Sequence, residues 1–419
     1  MDVLRIALNS SSLLLVGIIL LYGSQASFFT FGNNGRYLTL ASGFGCVLWA
    51  AFRRSGWSCI GRNLQFIFLS GFYFLVLLAL SYMRQHDIFS AQKLVFIGVS
   101  YMLFIAGYIL AKTPIRDGVW TDSIAMILGG SFLALILYRF MGYVKLISFA
   151  GTERGFDVSE LNPVGAAYTN MVLVLVFFYM AVTTRRVVSR PLYIVVACMA
   201  ALVVITTGSR GAPLWGCVSL CGMCVVLWNH QLLKINAKTV LSILLMILVG
   251  GPVVFYLFKN NYALSEKLDI VITRFELLFD VLVRGTGTDL SASGRMAFYE
   301  YYLSDPVRWL FFGEKYYSVY PHNQFLEILV RFGLLGLPLL GFSLYVMSKS
   351  ITRACSRKYV MSLEWYLIML LFLFSYLQSM TSLSLEVNRT LWLGFGYLYG
   401  YQYRLKGFMG QSRAYGMQR

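Results

Sequence analysis

The sequence is poor in charged residues, and this shortage indicates the solvent for which the chain is built. Aspartate, glutamate, lysine and arginine make up only 13% of its 419 residues, about half the share found in soluble domains. Hydrophobic residues make up 58%. This balance excludes a disordered chain, a coiled coil and a small disulfide scaffold. A polytopic membrane protein remains, because apolar runs of about 18 residues or more recur along the whole chain.

Several motifs that carry common chemistry are also absent. The chain has no Asp-x-Asp pair for a metal-bound nucleotide sugar, no P-loop, no Gly-x-Ser-x-Gly elbow and no zinc-ligand spacing. None of the seven cysteines lies in a predicted outer loop, so we expect no structural disulfide. Because no soluble basic face is present, we expect no nucleic-acid partner.

Twelve apolar segments are candidate membrane-spanning helices, so we predict an all-α polytopic membrane protein. Their approximate ranges are 6–23, 37–52, 64–83, 94–111, 123–144, 166–184, 191–207, 212–229, 239–258, 325–348, 364–381 and 390–403. If the N-terminus is cytoplasmic, 19 of the 35 lysines and arginines fall in cytoplasmic segments. Most of the formal net charge of +17 then orients the helices, with both termini inside the cell. We therefore predict a single transmembrane domain over residues 1–419.

Two predicted outer segments, residues 145–165 and residues 259–324, are long enough to carry function. Within the longer one, polar residues recur every three or four positions over 262–284, with apolar residues between them. This pattern predicts an amphipathic helix that lies on the membrane surface. A flexible stretch over 285–294 and a second short helix from Arg295 are expected to follow.

A few ionisable residues on the predicted outer side are candidates for chemistry. His322, one of three histidines, lies where the long loop re-enters the membrane, and Glu327 and Arg331 follow at i, i+4 spacing. Ionisable groups within a span usually face a cavity or pathway, although a buried pair that only fixes helix packing is the alternative. Four more arginines lie on the same predicted side: Arg154, Arg210, Arg295 and Arg389. Arginines bind phosphate oxygens through paired N–H donors, and a histidine accepts a hydroxyl proton near neutral pH.

Short motifs resemble those of the O-antigen ligase/polymerase superfamily. The most specific part is Pro321–Glu327 (PHNQFLE) followed by Phe332–Leu337 (FGLLGL). The other matching segments are Arg154 with Asn162–Tyr168, Gly208–Arg210, Gly294–Glu300 and Asp305–Gly313. The similarity covers the order of elements from about residue 145 to residue 390.

The resemblance implies a GT-C-type glycosyltransferase of the bacterial inner membrane that works on the periplasmic side without a metal or cofactor. Its donor would be a glycan on undecaprenyl diphosphate. The family's basic residues fall on Arg210 and Arg295, which would hold the diphosphate, and Arg154 matches a further family arginine. The family's histidine falls on His322, as the base for the acceptor hydroxyl. Residues expected to support this site are Asn323, Glu327, Arg331, Arg389 and, as a loose match, Glu386.

The resemblance leaves two activities open, polymerase and ligase. A polymerase transfers the chain to another lipid-linked repeat unit, and a ligase transfers it to lipid A–core. We favour the polymerase, because only 27 positions separate Arg295 from His322, where ligases tend to have a longer insertion. Expected partners are the undecaprenyl-diphosphate-linked oligosaccharide, membrane lipids and a chain-length regulator protein. A lipid-linked oligosaccharide transporter is the alternative from another class, and charges midway through several spans would favour it.

Overall fold

The structure is a computed structural model that describes residues 10–23, 32–84, 91–112, 163–184, 189–206, 209–232, 273, 276, 290–314, 321–357, 361–381, 385 and 388–416. Every regular element in these ranges is a helix, which confirms the predicted all-α class. The helices are α1 (Ser10–Gly23), α2 (Gly32–Arg62), α3 (Leu64–Arg84), α4 (Ala91–Lys112), α5 (Pro163–Thr183), α6 (Ser189–Thr206), α7 (Gly211–Asn229), α8 (Leu290–Ser304), α9 (Val307–Leu310), α10 (Gln324–Phe332), α11 (Leu337–Cys355), α12 (Leu363–Ser379) and α13 (Arg389–Gly416). A 3-10 turn, Gly333–Gly336, joins α10 to α11.

The chain divides into two compact units. Unit 1 consists of Met1–Leu21, Ala41–Val119 and Leu290–Arg419, and unit 2 consists of Tyr22–Leu40 and Trp120–Asp289. Unit 1 therefore contains Arg295 and His322, whereas unit 2 contains Arg210. The prediction of one transmembrane domain over the whole chain stays a prediction.

Two helical stretches in the described ranges are long and apolar enough to cross a membrane, Gly211–Asn229 and Gln324–Cys355. Shorter apolar helical stretches are Leu64–Leu80, Ile97–Lys112, Ala167–Thr183, Ser189–Val204 and Leu363–Ser379. The predicted spans 123–144 and 239–258 and the loop 145–162 lie outside the described residues. Of the predicted amphipathic helix, only Thr273 and Glu276 are described, and both are helical and exposed. The count of about twelve transmembrane helices thus stays a prediction.

In unit 1, α4 and α13 pack with their backbones in direct contact. A β-carbon added at Gly107 would overlap the carbonyl oxygen of Leu393, and one added at Gly396 would overlap that of Phe104. Glycine is needed at these positions because apolar helices can approach this closely only through small residues. The pair forms the centre of unit 1, against which α12 also packs.

The ends of α2, α4 and α12 meet through polar side chains. The Arg54 guanidinium donates two hydrogen bonds to the Glu364 carboxylate, at 2.7 and 2.8 Å, and both side chains are buried. The Tyr397 hydroxyl donates to the same carboxylate at 2.8 Å, and Lys112 donates to the Asn63 side chain. Because Arg54 also donates to the Leu110 carbonyl oxygen near Lys112, these contacts group Arg54, Lys112 and Glu364 at one end of the unit.

Among the described helices of unit 2, α5 is the most buried, and it packs against α6 and α7. Nearly every described side chain of α5 from Ala167 to Ala181 is buried. The Met171 side chain fills the space above Gly216 of α7, where a β-carbon would overlap it. The ring of Phe177 lies 6.1 Å from that of Tyr193 on α6. These contacts make α5 the core of the three helices α5, α6 and α7.

The predicted span 325–348 is interrupted in the structure. Helix α10 ends at Phe332, and α11 begins at Leu337 after the 3-10 turn. Gly333 adopts φ +57°, which a residue with a side chain rarely adopts, and a β-carbon there would lie 2.6 Å from the carbonyl oxygens of Leu310 and Phe311. Hydropathy does not detect this break because the residues on both sides of it are apolar. Glu327 and Arg331 therefore lie on a separate short helix.

Candidate active site

His322 lies directly before α10 and is held in an unusual backbone conformation. Its φ of +52° is one of two positive values at non-glycine residues in the part of the chain that the structure describes. A histidine in this region is strained by about 1–3 kcal/mol, and such strain clusters at functional sites. The next residue, Asn323, caps α10 by accepting hydrogen bonds from the backbone N–H groups of Phe325 and Leu326, at 3.0 and 3.2 Å. The helix start thus fixes the position of the imidazole.

The imidazole of His322 is half-buried between α8 and the end of α12. Its ring stacks on that of Phe298, with ring centroids 6.1 Å apart and planes 21° apart. Burial lowers the pKa of His322 and the nearby Arg295 guanidinium lowers it further, while a hydrogen bond to the backbone of Thr381 acts in the opposite direction. The neutral imidazole is therefore favoured near pH 7, and that is the form that accepts a proton.

Helix α8 carries two side chains that contact or influence His322, Phe298 and Arg295. Arg295 and Phe298 are three residues apart, so they lie on the same helical face. The helix is fixed by a small core in which Tyr302 packs with Trp309 and Val330. The Trp309 indole N–H also donates to the Tyr302 carbonyl oxygen at 2.8 Å. This core joins α8 and α9 to α10, and it holds Arg295 near the imidazole.

Glu327 and Arg331 form a buried ion pair on α10. The Arg331 guanidinium lies 3.1 Å from the Glu327 carboxylate, and the two side chains are 3% and 0% exposed. The same carboxylate accepts the backbone N–H of Leu385 at 3.2 and 3.3 Å. The pair thus ties α10 to the chain that connects α12 to α13. This geometry favours a positioning role over direct contact with a substrate.

Arg331 also lines a small, partly open pocket in unit 1. Its walls come from α3, α4, α11 and α13 and are almost entirely apolar, as at Leu77, Ile97 and Trp392.

In the described ranges, no three histidine, cysteine, aspartate or glutamate side chains gather as a metal site requires. The candidate site described above consists of His322, Arg295 and the ring of Phe298.

The remaining predicted residues are Arg210, Arg389, Arg154 and Glu386. Arg210 precedes α7 in unit 2, and its carbonyl oxygen accepts the backbone N–H of Leu214 at 3.3 Å. Arg389 begins α13 and is buried. Arg154 and Glu386 lie outside the described residues. Of the predicted set, the structure brings Arg295 together with His322, and Glu327 together with Arg331.

A buried polar network beside His322 was not predicted. Gln324, the residue after Asn323, accepts a hydrogen bond from the Ser379 hydroxyl and lies 3.4 Å from the Ser343 hydroxyl. Ser343 is in turn 3.4 Å from the Tyr376 hydroxyl. The sequence signal that could have predicted this network is the presence of polar residues inside apolar spans, such as Ser379 at the end of α12. The network connects α10, α11 and α12. It begins at Gln324, two positions after the histidine.

A scan of the chain against protein-family models finds no matching family, and a search of curated proteins finds no matching relative. The resemblance to the O-antigen ligase/polymerase superfamily thus rests on the residues themselves.

Proposed function

We propose that the protein is an O-antigen polymerase, a metal-independent glycosyltransferase of the GT-C type. In this proposal it moves a glycan from undecaprenyl diphosphate onto another lipid-linked repeat unit, at the periplasmic face of the bacterial inner membrane. The observation that carries the proposal is the placement of a half-buried, strained His322 beside Arg295 within one unit. The order of motifs around both residues supports it.

The chemistry assigned to these residues is transfer to a sugar hydroxyl. That hydroxyl attacks the anomeric carbon of the donor, and the bond from this carbon to the diphosphate oxygen breaks. His322 accepts the hydroxyl proton, which contributes roughly 10²–10⁴-fold in rate. Arg295 stabilises the negative charge of the departing diphosphate, which is most effective where water is partly excluded. The sequence resemblance assigns Arg210 the same role.

Membrane placement belongs to the same proposal. Support comes from the two helical stretches long enough to cross a membrane and from the grouping of Arg54, Lys112 and Glu364 at one end of unit 1. That end would face the cytoplasm under the positive-inside rule. Arg295 and His322 would then face the periplasm, where the lipid-linked donor is used.

Substitution of the proposed catalytic and binding residues tests the assignment. We expect His322→Ala and Arg210→Ala to leave the amount of membrane protein unchanged and to abolish glycan extension on a polysaccharide gel. The matched control is His230→Ala, a histidine at the C-terminal end of α7, which should keep the normal ladder. A wild-type ladder in both His322→Ala and Arg210→Ala would contradict the catalytic assignment.

Deletion of the whole gene separates the three candidate activities. Loss of a polymerase leaves lipid A–core with a single repeat unit. Loss of a ligase leaves bare core, with polymer still attached to undecaprenyl diphosphate. Loss of a transporter leaves neither product and traps the donor on the cytoplasmic side. Either of the last two patterns would replace the polymerase assignment.

A further inference from the structure

The turn between α8 and α9 exposes a run of large apolar side chains. Leu303, Val307, Phe311 and Phe312 are 62%, 69%, 54% and 56% exposed. We call these four residues the apolar elbow. The opposite side of the same turn already contributes Trp309 to the small core that fixes α8 and α9. The four exposed side chains are therefore not part of that core. Exposed apolar clusters of this kind mark interaction surfaces.

The elbow is continuous with the exposed face of the long apolar helix. The backbone of Phe311 lies against Gly333, where the two segments approach too closely for any side chain. The residues that follow Gly333 are also apolar and exposed, with Leu334 and Leu335 each at 42% and Leu337 at 46%. One apolar surface therefore runs from the elbow onto the start of α11.

Helix α3 extends this surface. The Tyr73 hydroxyl donates a hydrogen bond to the Leu335 carbonyl oxygen at 2.8 Å. On the same helix, Phe68, Phe72 and Leu75 are 70%, 61% and 62% exposed. Recurrence at three- and four-residue spacing makes them one stripe along α3. In a helix of 21 residues that is apolar almost throughout, such a stripe is expected to face lipid.

The length of α11 indicates where the elbow lies relative to the bilayer. This helix has 19 residues, so it is about 28 Å long, close to the roughly 30 Å of a bilayer's hydrocarbon core. Its basic residue in the last turn, Arg353, fits the cytoplasmic end. Leu337 then lies near the outer boundary of the hydrocarbon, and the elbow, which packs on Gly333, lies at the same level.

We propose that the apolar elbow is a membrane anchor whose side chains insert among the lipid chains of the outer leaflet. The proposal rests on the membrane placement proposed above. Aromatic residues are favoured at this depth, and insertion would cover the exposed apolar surface. Its consequence concerns Arg295, because α8, which carries this arginine, ends at the anchored turn. The anchor holds Arg295 at the level of lipid phosphates, where a diphosphate donor presents its charge.

Spin labels measure the depth of the elbow directly. The protein, with its seven native cysteines replaced, would carry a single label at Val307→Cys or Phe311→Cys in vesicles of phosphatidylethanolamine and phosphatidylglycerol. Phe72→Cys on α3 serves as the lipid-facing reference, and Glu300→Cys, exposed on α8, as the aqueous one. We expect oxygen to collide with the two elbow labels several-fold more often, relative to a water-soluble nickel chelate, than with the label at Glu300. Elbow labels that match the Glu300 label overturn the proposal.

A second measurement keeps the native cysteines. Phe311→Trp and Glu300→Trp are compared in vesicles that contain brominated lipids, which quench tryptophan by contact. We expect the added fluorescence of Phe311→Trp to be quenched and that of Glu300→Trp to persist, and equal quenching overturns the anchor. Neither measurement uses a glycan, so failure of the anchor is distinguishable from failure of the polysaccharide assay for His322.

Discussion

Removal of the Glu327 carboxylate should destabilise unit 1 strongly, because the Arg331 guanidinium pairs with this carboxylate and the Leu385 N–H donates to it. The pair with Arg331 is almost completely buried, at 0% and 3% exposure. Glu327→Ala leaves a buried guanidinium without its carboxylate, and it deprives the Leu385 N–H of its acceptor. Substitution of one member of a buried pair costs about 3–5 kcal/mol. For a unit of this size that corresponds to a melting temperature roughly 6–20 °C lower.

The double variant Glu327→Gln with Arg331→Met gives the matched comparison. It removes both charges and retains a side-chain oxygen that can accept the Leu385 N–H. Replacement of a whole buried pair is often neutral, so we expect its stability within about 1 kcal/mol of the parent. Glu300→Ala, at an exposed site on α8, should change stability by less than about 0.5 kcal/mol.

The assay is the fraction of purified, detergent-solubilised protein that remains monodisperse after heating across a temperature series. The reasoning fails if Glu327→Ala melts within about 2 °C of the parent, a shift that corresponds to less than a buried pair should contribute. It also fails if the double variant melts as low as Glu327→Ala, because the loss would then not come from an unpaired charge.

Two further predictions concern the helix break and the imidazole. Gly333→Ala should lower the melting temperature in the same assay, because its β-carbon meets backbone 2.6 Å away at φ +57°, whereas Gly341→Ala, with open space around it, should be neutral or slightly stabilising. Equal melting temperatures would contradict this. Arg295→Met should raise the pKa of His322, since the guanidinium lowers it. The imidazole acts as a base only above its pKa, so the acid limb of the residual transfer activity should move to higher pH, and an unmoved limb would count against His322 as the base.

Hydropathy predicted the helices well where the whole helix is apolar. The predicted span 64–83 corresponds to α3, Leu64–Arg84, almost residue for residue. The prediction falls short for α2, where the apolar window covers 37–52 and the helix runs from Gly32 to Arg62. Beyond that window the helix buries Arg54, whose guanidinium is paired with Glu364, 310 positions away. A window of neighbouring residues contains no information about such a partner.

In the candidate site, too, the sequence pattern predicts local contacts but not contacts between distant residues. The spacing of Glu327 and Arg331 on one helix indicates a pair without any structure. The contact from Glu327 to the Leu385 N–H spans 58 positions, and only the folded chain reveals it. The stacking of His322 on Phe298 likewise depends on how the small core around Trp309 orients α8. Local pattern thus finds candidate residues, and tertiary packing decides which of them meet.

The glycine contacts between α4 and α13 constrain how the molecule can move. Where Gly107 and Gly396 bring two backbones together, no flexible side chain lies between them to absorb a displacement. A displacement of either helix would bring side chains against backbone atoms that leave room only for the hydrogen of a glycine. The two helices therefore keep one fixed register relative to each other. Any rearrangement within unit 1 has to take place in other elements.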